Sequence, residues 1–229
     1  MLASRLIKAS GSSELVDTWP WAMQLVGQGT RTVLKVPYTA FNLGTGAYTI
    51  ESFINPSSLH SYDLFYGQWG GPSTLNISNL GGNVSIQTSN SGSIVGPSVS
   101  NIIVNQFNHV AYVYDGTSYA VYINGIRHSM TANSNSISLS PSSTQPVGVG
   151  SVWNQVGYGM RGRMKAVRVT AAARYTGGSI TVPTLYLTGS NDPLWSSVNL
   201  LLPLQNSYVD ISANAHSIVN SGTTFTFGP

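Results

Sequence analysis

Two turn dipeptides constrain the middle of this chain more than any other feature. Asp115-Gly116 and Asn124-Gly125 are turn formers that tolerate the positive φ a tight hairpin demands. Around them the residues alternate with a period of two: His109, Ala111 and Val113 interleave with Val110, Tyr112 and Tyr114, and the pattern resumes from Tyr119 to Ile123. Period two belongs to strands, so residues 109–114, 118–123 and 126–130 are predicted as a three-stranded meander.

Elsewhere helical periodicity is nearly absent, because Gly or Pro interrupts almost every window of a dozen residues. Runs rich in Val, Ile, Thr, Tyr and Phe recur between turn signals at spacings of roughly 8 to 12 residues, which points to a sandwich or barrel. Residues 32–36, 48–54, 164–170 and 199–204 read as further strands, the last buried on both faces because it lacks polar alternation. Segments 67–72 and 131–146 read as surface loops, and 171–175 as a single helical turn. The first 25 residues lack this spacing and contain Trp19-Pro20-Trp21. They are expected to form an extended arm lying on something else, followed by one domain over 26–229.

Charged residues make up 7% of the chain, against about 25% in an ordinary soluble domain. Ser, Thr, Asn, Gln and Gly must therefore solvate the surface. Such a surface suits packing against neighbours, further copies of the chain included. A net charge of +3 over 229 residues is too dilute to imply nucleic acid. No apolar run approaches the roughly 18 residues that a spanning helix needs, so no membrane role is expected. Residues 1–13 lack an apolar stretch of signal-peptide length, which reads as synthesis in the cytoplasm. The chain has no cysteine, so thiolate metal sites and disulfides are excluded.

Three segments together resemble a known family. They are 34–55 (LKVPYTAFNLGTGAYTIESFIN), 107–127 (FNHVAYVYDGTSYAVYINGIR, with Phe107 where the family usually has Trp) and 162–176 (GRMKAVRVTAAARYT). They are similar to the concanavalin A-like/laminin G-like jelly rolls found in bacteriophage virion proteins. The resemblance implies an antiparallel two-sheet jelly-roll sandwich. It further implies a non-enzymatic virion structural protein, foremost a capsid decoration or cement protein docked on a major capsid or tail protein. A tail or fibre component and a carbohydrate-binding lectin module are the alternatives. One segment departs from the pattern: 199–222, which matches the family's usual opening strand, lies near the C-terminus. A permuted strand order would close the same sheet; a truncated second repeat or a strand donated to a neighbour are the rivals.

Glycanases of this fold need paired carboxylates, yet the seven acids include no E-x-D-x-E run. Glu51, mid-strand, is expected to pair with Arg168, and His109 to be a structural strand residue. No nucleophile-elbow or zinc spacing occurs. No cofactor is expected; calcium, which the family often holds at the sandwich rim, would draw on Asp115, Asp63 or Asn124. A basic cluster, Arg161, Arg163, Lys165, Arg168 and Arg174, poses a geometrical problem. Strict alternation would place Arg163 and Lys165 on one face with Val167 and Val169, so a bulge near Lys165-Ala166 is predicted. Arg161, Arg163 and Lys165 either face an acidic partner, together with Trp19 and Trp21 of the arm, or keep a sheet edge positive against strand addition. For sugar stacking the candidates are Tyr66, Trp69, Trp153 and Tyr158.

Overall fold

The computed structural model describes residues 21–26, 33–60, 63–68, 75–80, 83–88, 92–98, 101–132, 139–141, 144–154, 158–184, 186, 188–221 and 226–228. Its strands in chain order are β1 (Ala22–Val26), β2 (Val33–Val36), β3 (Tyr48–Pro56), β4 (Leu64–Gly67), β5 (Leu75–Leu80), β6 (Asn83–Thr88), β7 (Gly92–Ser98), β8 (Asn108–Tyr114), β9 (Tyr119–Ile123), β10 (Ile126–Ala132), β11 (Val147–Val149), β12 (Arg161–Thr170), β13 (Val198–Leu202), β14 (Val219–Ser221) and β15 (Phe227–Gly228). No α-helix occurs among the described residues; short 3-10 turns at Tyr38–Phe41, Gly189–Asn191 and Trp195–Ser197 complete the elements.

Two antiparallel sheets result. The first runs β10-β9-β8-β3-β12-β1-β15, with β13 also on β12; the second runs β14-β2-β11-β4-β5-β6-β7-β10. They share β10, whose residues Ile126 to Met130 pair with β9 while Thr131 and Ala132 pair with β7. The predicted meander forms as β8 to β10, turning at Gly116, Asn124 and Gly125, all with positive φ. Between the sheets lies a core that includes Leu34, Phe41, Ile50, Ile54, Ile77, Ile86, Val121 and Leu202, each at most 2% exposed. The outer face of the first sheet is covered as well: Ala111, Val113, Ala120 and Tyr122 are buried under Ala173, Tyr175 and Ile180.

The strand β12 organises the first sheet. One edge pairs with β3 along its length, while the other pairs with β1 at residues 161–164 and with β13 at 167–170. The predicted bulge is present. Lys165 faces Phe53 and Arg168 faces Glu51, so one extra residue is inserted, and Ala166 takes φ +56°. The insertion resets the alternation, so Val167 and Val169 turn into the core while Arg168 and Thr170 stay outside. At the start of the strand Gly162 has φ +136°, and a Cβ there would sit 2.1 Å from the Asn55 carbonyl oxygen, so only glycine fits.

The C-terminal segment completes the sandwich of its own chain. It adds Leu200 and Leu202 of β13, and Leu204 just beyond it, to the core at 0% exposure, and through β14 it extends the second sheet beside β2. Two expectations need correction. The boundary drawn at residue 25 falls within β1, whose Met23 and Leu25 are core residues of this domain; Trp19 lies outside the described residues. Residues 171–175 form a bend and not a helical turn. Their backbone is bonded to the sheet instead: Thr49 Oγ1 donates to the Ala172 carbonyl at 2.9 Å and accepts from the Arg174 N–H at 2.9 Å.

Candidate functional site

Three adjacent central strands bring Glu51 (β3), His109 (β8) and Arg168 (β12) together on the outer face of the first sheet. Arg168 Nε donates to Glu51 Oε1 at 2.7 Å, Tyr175 Oη donates to Oε2 at 2.8 Å, and His109 Nε2 lies 3.0 Å from Oε2. Beside them Arg174 donates twice to Asp192, at 3.0 and 2.7 Å, and the Arg168 guanidinium lies 4.0 Å over the Tyr186 ring. Glu51 is fully buried, and burial alone would raise its pKa. The Arg168 charge and the bonds from His109 and Tyr175 override that and hold it at about 2. A carboxylate that stays ionised, shielded and fully bonded is neither a proton donor at neutral pH nor open to substrate. It pairs with Arg168 as expected, and through Tyr175 it fastens the segment after β12 onto the sheet. Tyr175, Tyr186 and Asp192, contributed by that segment, have no counterpart in the sequence reading.

The other described acids are likewise engaged. Asp63 accepts the His60 N–H at 2.7 Å, and Asp210 accepts the N–H groups of Leu201, Ser212 and His216. Asp115 accepts those of Thr117 and Ser118 at 2.8 and 2.7 Å, which lowers its pKa. The three candidate calcium ligands are not drawn into one shell. Asp115 stands at the β8–β9 turn and Asn124 at the β9–β10 turn, at opposite ends of β9; Asn124 Oδ1 accepts the His109 N–H at 3.0 Å. Among the described residues no group of three His, Asp or Glu side chains could hold a metal ion.

The outer face of the second sheet is built differently. Register aligns Val219, Lys35, Gly148, Gly67, Asn76 and Gln87 in one row across β14, β2, β11, β4, β5 and β6. The two glycines leave a bare floor on which Ser151, Val152 and Trp153 lie. A Cβ on Gly148 would stand 2.4 Å from the Ser151 carbonyl oxygen and 2.8 Å from the Trp153 nitrogen. Trp153 is thereby set beside Lys35, whose ammonium is 5.7 Å from the indole centroid. Among the described residues the indole Nε1 and the neighbouring Asn154 Oδ1, both buried, find no hydrogen-bond partner. Trp153 and Tyr158, both half-buried, belong to the same excursion between β11 and β12. Tyr66 does not join them. Its ring points into the core at 0% exposure, against Phe41 at 5.7 Å, so it offers no face to a sugar; Trp69 lies outside the described residues.

Arg161, Arg163 and Lys165 share the outer face of β12 on the N-terminal side of the bulge, Arg161 exposed and the others half-buried. The edge-protection reading is overturned, because β12 has strands on both sides. Trp21 is 41% exposed and its N–H donates to Gln205 at 3.0 Å. It precedes the end of β1 nearest Met164, away from Arg161.

Residues 28–175 match the model of a family described as the concanavalin A-like lectin/glucanases superfamily. The chain belongs to this superfamily. No curated protein sequence matches it. Among solved structures, a protein from Bacteroides ovatus ATCC 8483 described as carbohydrate-binding is similar with TM-score 0.65 and 18% identity, over 93% of this chain and 60% of that one. The SAP-like pentraxin of Limulus polyphemus, a heptamer, aligns with TM-score 0.55 and 16% identity over 93% and 96% of the two chains. A Ruminococcus gnavus IT-sialidase CBM40 bound to α2,3-sialyllactose aligns with TM-score 0.51 and 14% identity over 69% and 94%. At such identities the likeness is one of fold. Beyond the matched segment, the superfamily sandwich of this chain is completed by β13 and β14.

Proposed function

We propose that this superfamily member is a non-catalytic carbohydrate-recognition module that uses the outer face of its second sheet. The observation that carries this reading is Trp153, half-buried on a glycine floor with the Lys35 ammonium 5.7 Å from its indole centroid. A sugar presents an apolar face to pack on the indole and hydroxyl oxygens to accept from the Lys35 ammonium. The superfamily fold shared with a protein described as carbohydrate-binding, and with a CBM40 bound to sialyllactose, supports the same reading. The confined state of Glu51 supports the absence of glycan cleavage. A glycan array on the purified protein tests it: binding at millimolar concentration or better, lost in Trp153→Ala with the fold retained, is the expected result. An array blank for every sugar class would overturn it.

A second reading places the module in a virion made in the host cytoplasm, as a capsid decoration or cement protein or as a tail or fibre component. The 7% charge content favours it, since a surface with little self-repulsion tolerates dense packing at fixed stoichiometry. Its test is the position of the protein on an imaged particle; absence from purified particles would remove it.

A further inference from the structure

We propose that the unit taken by the Trp153 platform is an anionic sugar, one that carries a single carboxylate or sulfate held by Lys35. This rests on the carbohydrate reading above and specifies the ligand of the same site.

The strands that belong to the second sheet alone, β14, β2, β11, β4, β5, β6 and β7, contain a single charged residue, Lys35. Leu34 and Val36 on either side of it lie in the core at 0% exposure, so alternation turns Lys35 to the outer face, where it is half-buried. Its row neighbours Val219 and Gly148 carry no polar side chain. The ion pairs among the described residues all belong to His60, His109, Arg168 and Arg174, so none of Glu51, Asp63, Asp115, Asp192 and Asp210 serves Lys35 as a counter-charge. What the ammonium has is the Trp153 ring, 5.7 Å away. Arg168 and Arg174, by contrast, each hold a carboxylate at 2.7 Å. Nor does Lys35 blunt an edge of the finished sheet, because β2 is paired on both sides, with β11 and β14.

The placing of that one charge chooses the class of sugar. Hydroxyls can be met by neutral Ser, Asn and Gln side chains and do not call for a cation. A neutral sugar stacked on the indole strips water from the ammonium and leaves its charge unanswered, which is costly. An anionic substituent on the stacked sugar answers it with a charge-assisted hydrogen bond, about 2.7–2.9 Å long. An ammonium is a point charge with three rotatable donors, so it takes a carboxylate or a sulfate alike. A lone cation also limits the ligand. Nucleic acids and other polyanions draw their affinity from many cations along their length, and the strands of this face present one. An acidic peptide offers the charge without the flat apolar ring face that an indole stacks.

The test uses the full chain and an array of matched glycans, each neutral oligosaccharide printed beside its carboxylated and its monosulfated counterpart. At about 50 mM salt we expect an anionic member to bind about tenfold or more tightly than its neutral parent, with the preference narrowing at about 300 mM salt. The tighter of the two anionic members tells the carboxylate from the sulfate. Lys35→Gln, which keeps a donor and removes the charge, should bring the anionic-to-neutral ratio to within about twofold of one, and Lys35→Arg should restore the preference; near-ultraviolet circular dichroism checks that both variants are folded. Arg161→Gln, which removes the same charge from the other sheet, should leave the ratio unchanged. Neutral and anionic members bound alike by the wild type would overturn this inference and leave the carbohydrate reading standing, whereas a blank array would overturn both. A preference that survives Lys35→Gln, or that falls as far in Arg161→Gln, would also overturn it.

Discussion

The two halves of β12 carry the same residue type to opposite ends. On the C-terminal side of Ala166, Arg168 is 4% exposed, bonded to Glu51 and roofed by Tyr186; on the N-terminal side, Arg161 is exposed and Arg163 shares a ring with Lys165. Both sets leave the same face of the same strand. What separates them is the chain laid over the sheet. The segment after β12 supplies Tyr175, Tyr186 and Asp192 to one half and does not cover the other. An outward arginine of this strand is thus buried or left partly exposed according to whether a cover arrives from a distant part of the sequence.

The sharpest way to break this comparison is to delete Ala166. Removing the inserted residue shifts every later side chain of β12 to the other face, so Arg168 would enter the core or the pairing with β3 and β13 would fail. No cooperatively folded protein is expected, as read by near-ultraviolet circular dichroism and denaturant unfolding. Next comes Arg168→Ala, which leaves Glu51 buried beside His109 without its main counter-charge. A loss of about 3–5 kcal/mol is expected in urea unfolding, and a loss below about 1 kcal/mol would mean that the network is wetter than described.

Acid provides a third handle. Glu51 is depressed from 4.5 to about 2 and Asp192 is lowered too, so the folded state keeps both ionised where the unfolded chain would take up protons. Their stabilisation is complete above the unfolded values and is lost as pH falls through the folded ones. Urea midpoints should therefore be level above about pH 5 and drop between 4.5 and 2, and the drop should shrink in Glu51→Gln. The smallest effect belongs to the N-terminal half. Arg161→Gln should change stability by less than about 0.5 kcal/mol, since its side chain is exposed and the carboxylate its charge acts on, Asp63, is also held by the His60 N–H.

Much of this contrast was legible beforehand. The bulge followed from an impossible mixture of Arg, Lys and Val on one face, and the Glu51–Arg168 pair from two strands read side by side. The meander followed from Asp-Gly and Asn-Gly, whose backbone preferences are local. The cover was not legible, because residues 171–197 have no period to read, and their described part joins the sheet through side chains and a few isolated backbone bonds, such as that from the Arg127 N–H to the Gly178 carbonyl. Strands β4 to β7 were missed although Leu75, Ile77, Val84 and Ile86 alternate with polar residues, because the alternation is short and lies among Gly, Ser and Asn, which read as loop. Tyr66 was misjudged because a register irregularity between Leu64 and Tyr66 decides which way that strand's side chains turn.

The pairing of β14 with β2 also sets a timetable. On a ribosome adding about 5–20 residues per second, residues 33–36 must wait roughly 10–40 s before residues 219–221 exist to sit beside them. Until residues 147–149 exist both sides of this Val-Leu-Lys-Val segment lack their partners, and from then on one side does, a template for any passing β-segment. Lys35, on the solvent side of that strand, is the kind of charge that discourages such a mispairing. The side chain that stands beside Trp153 in the finished sandwich is thus also the one charge on a strand that stays without a neighbour until nearly the whole chain exists.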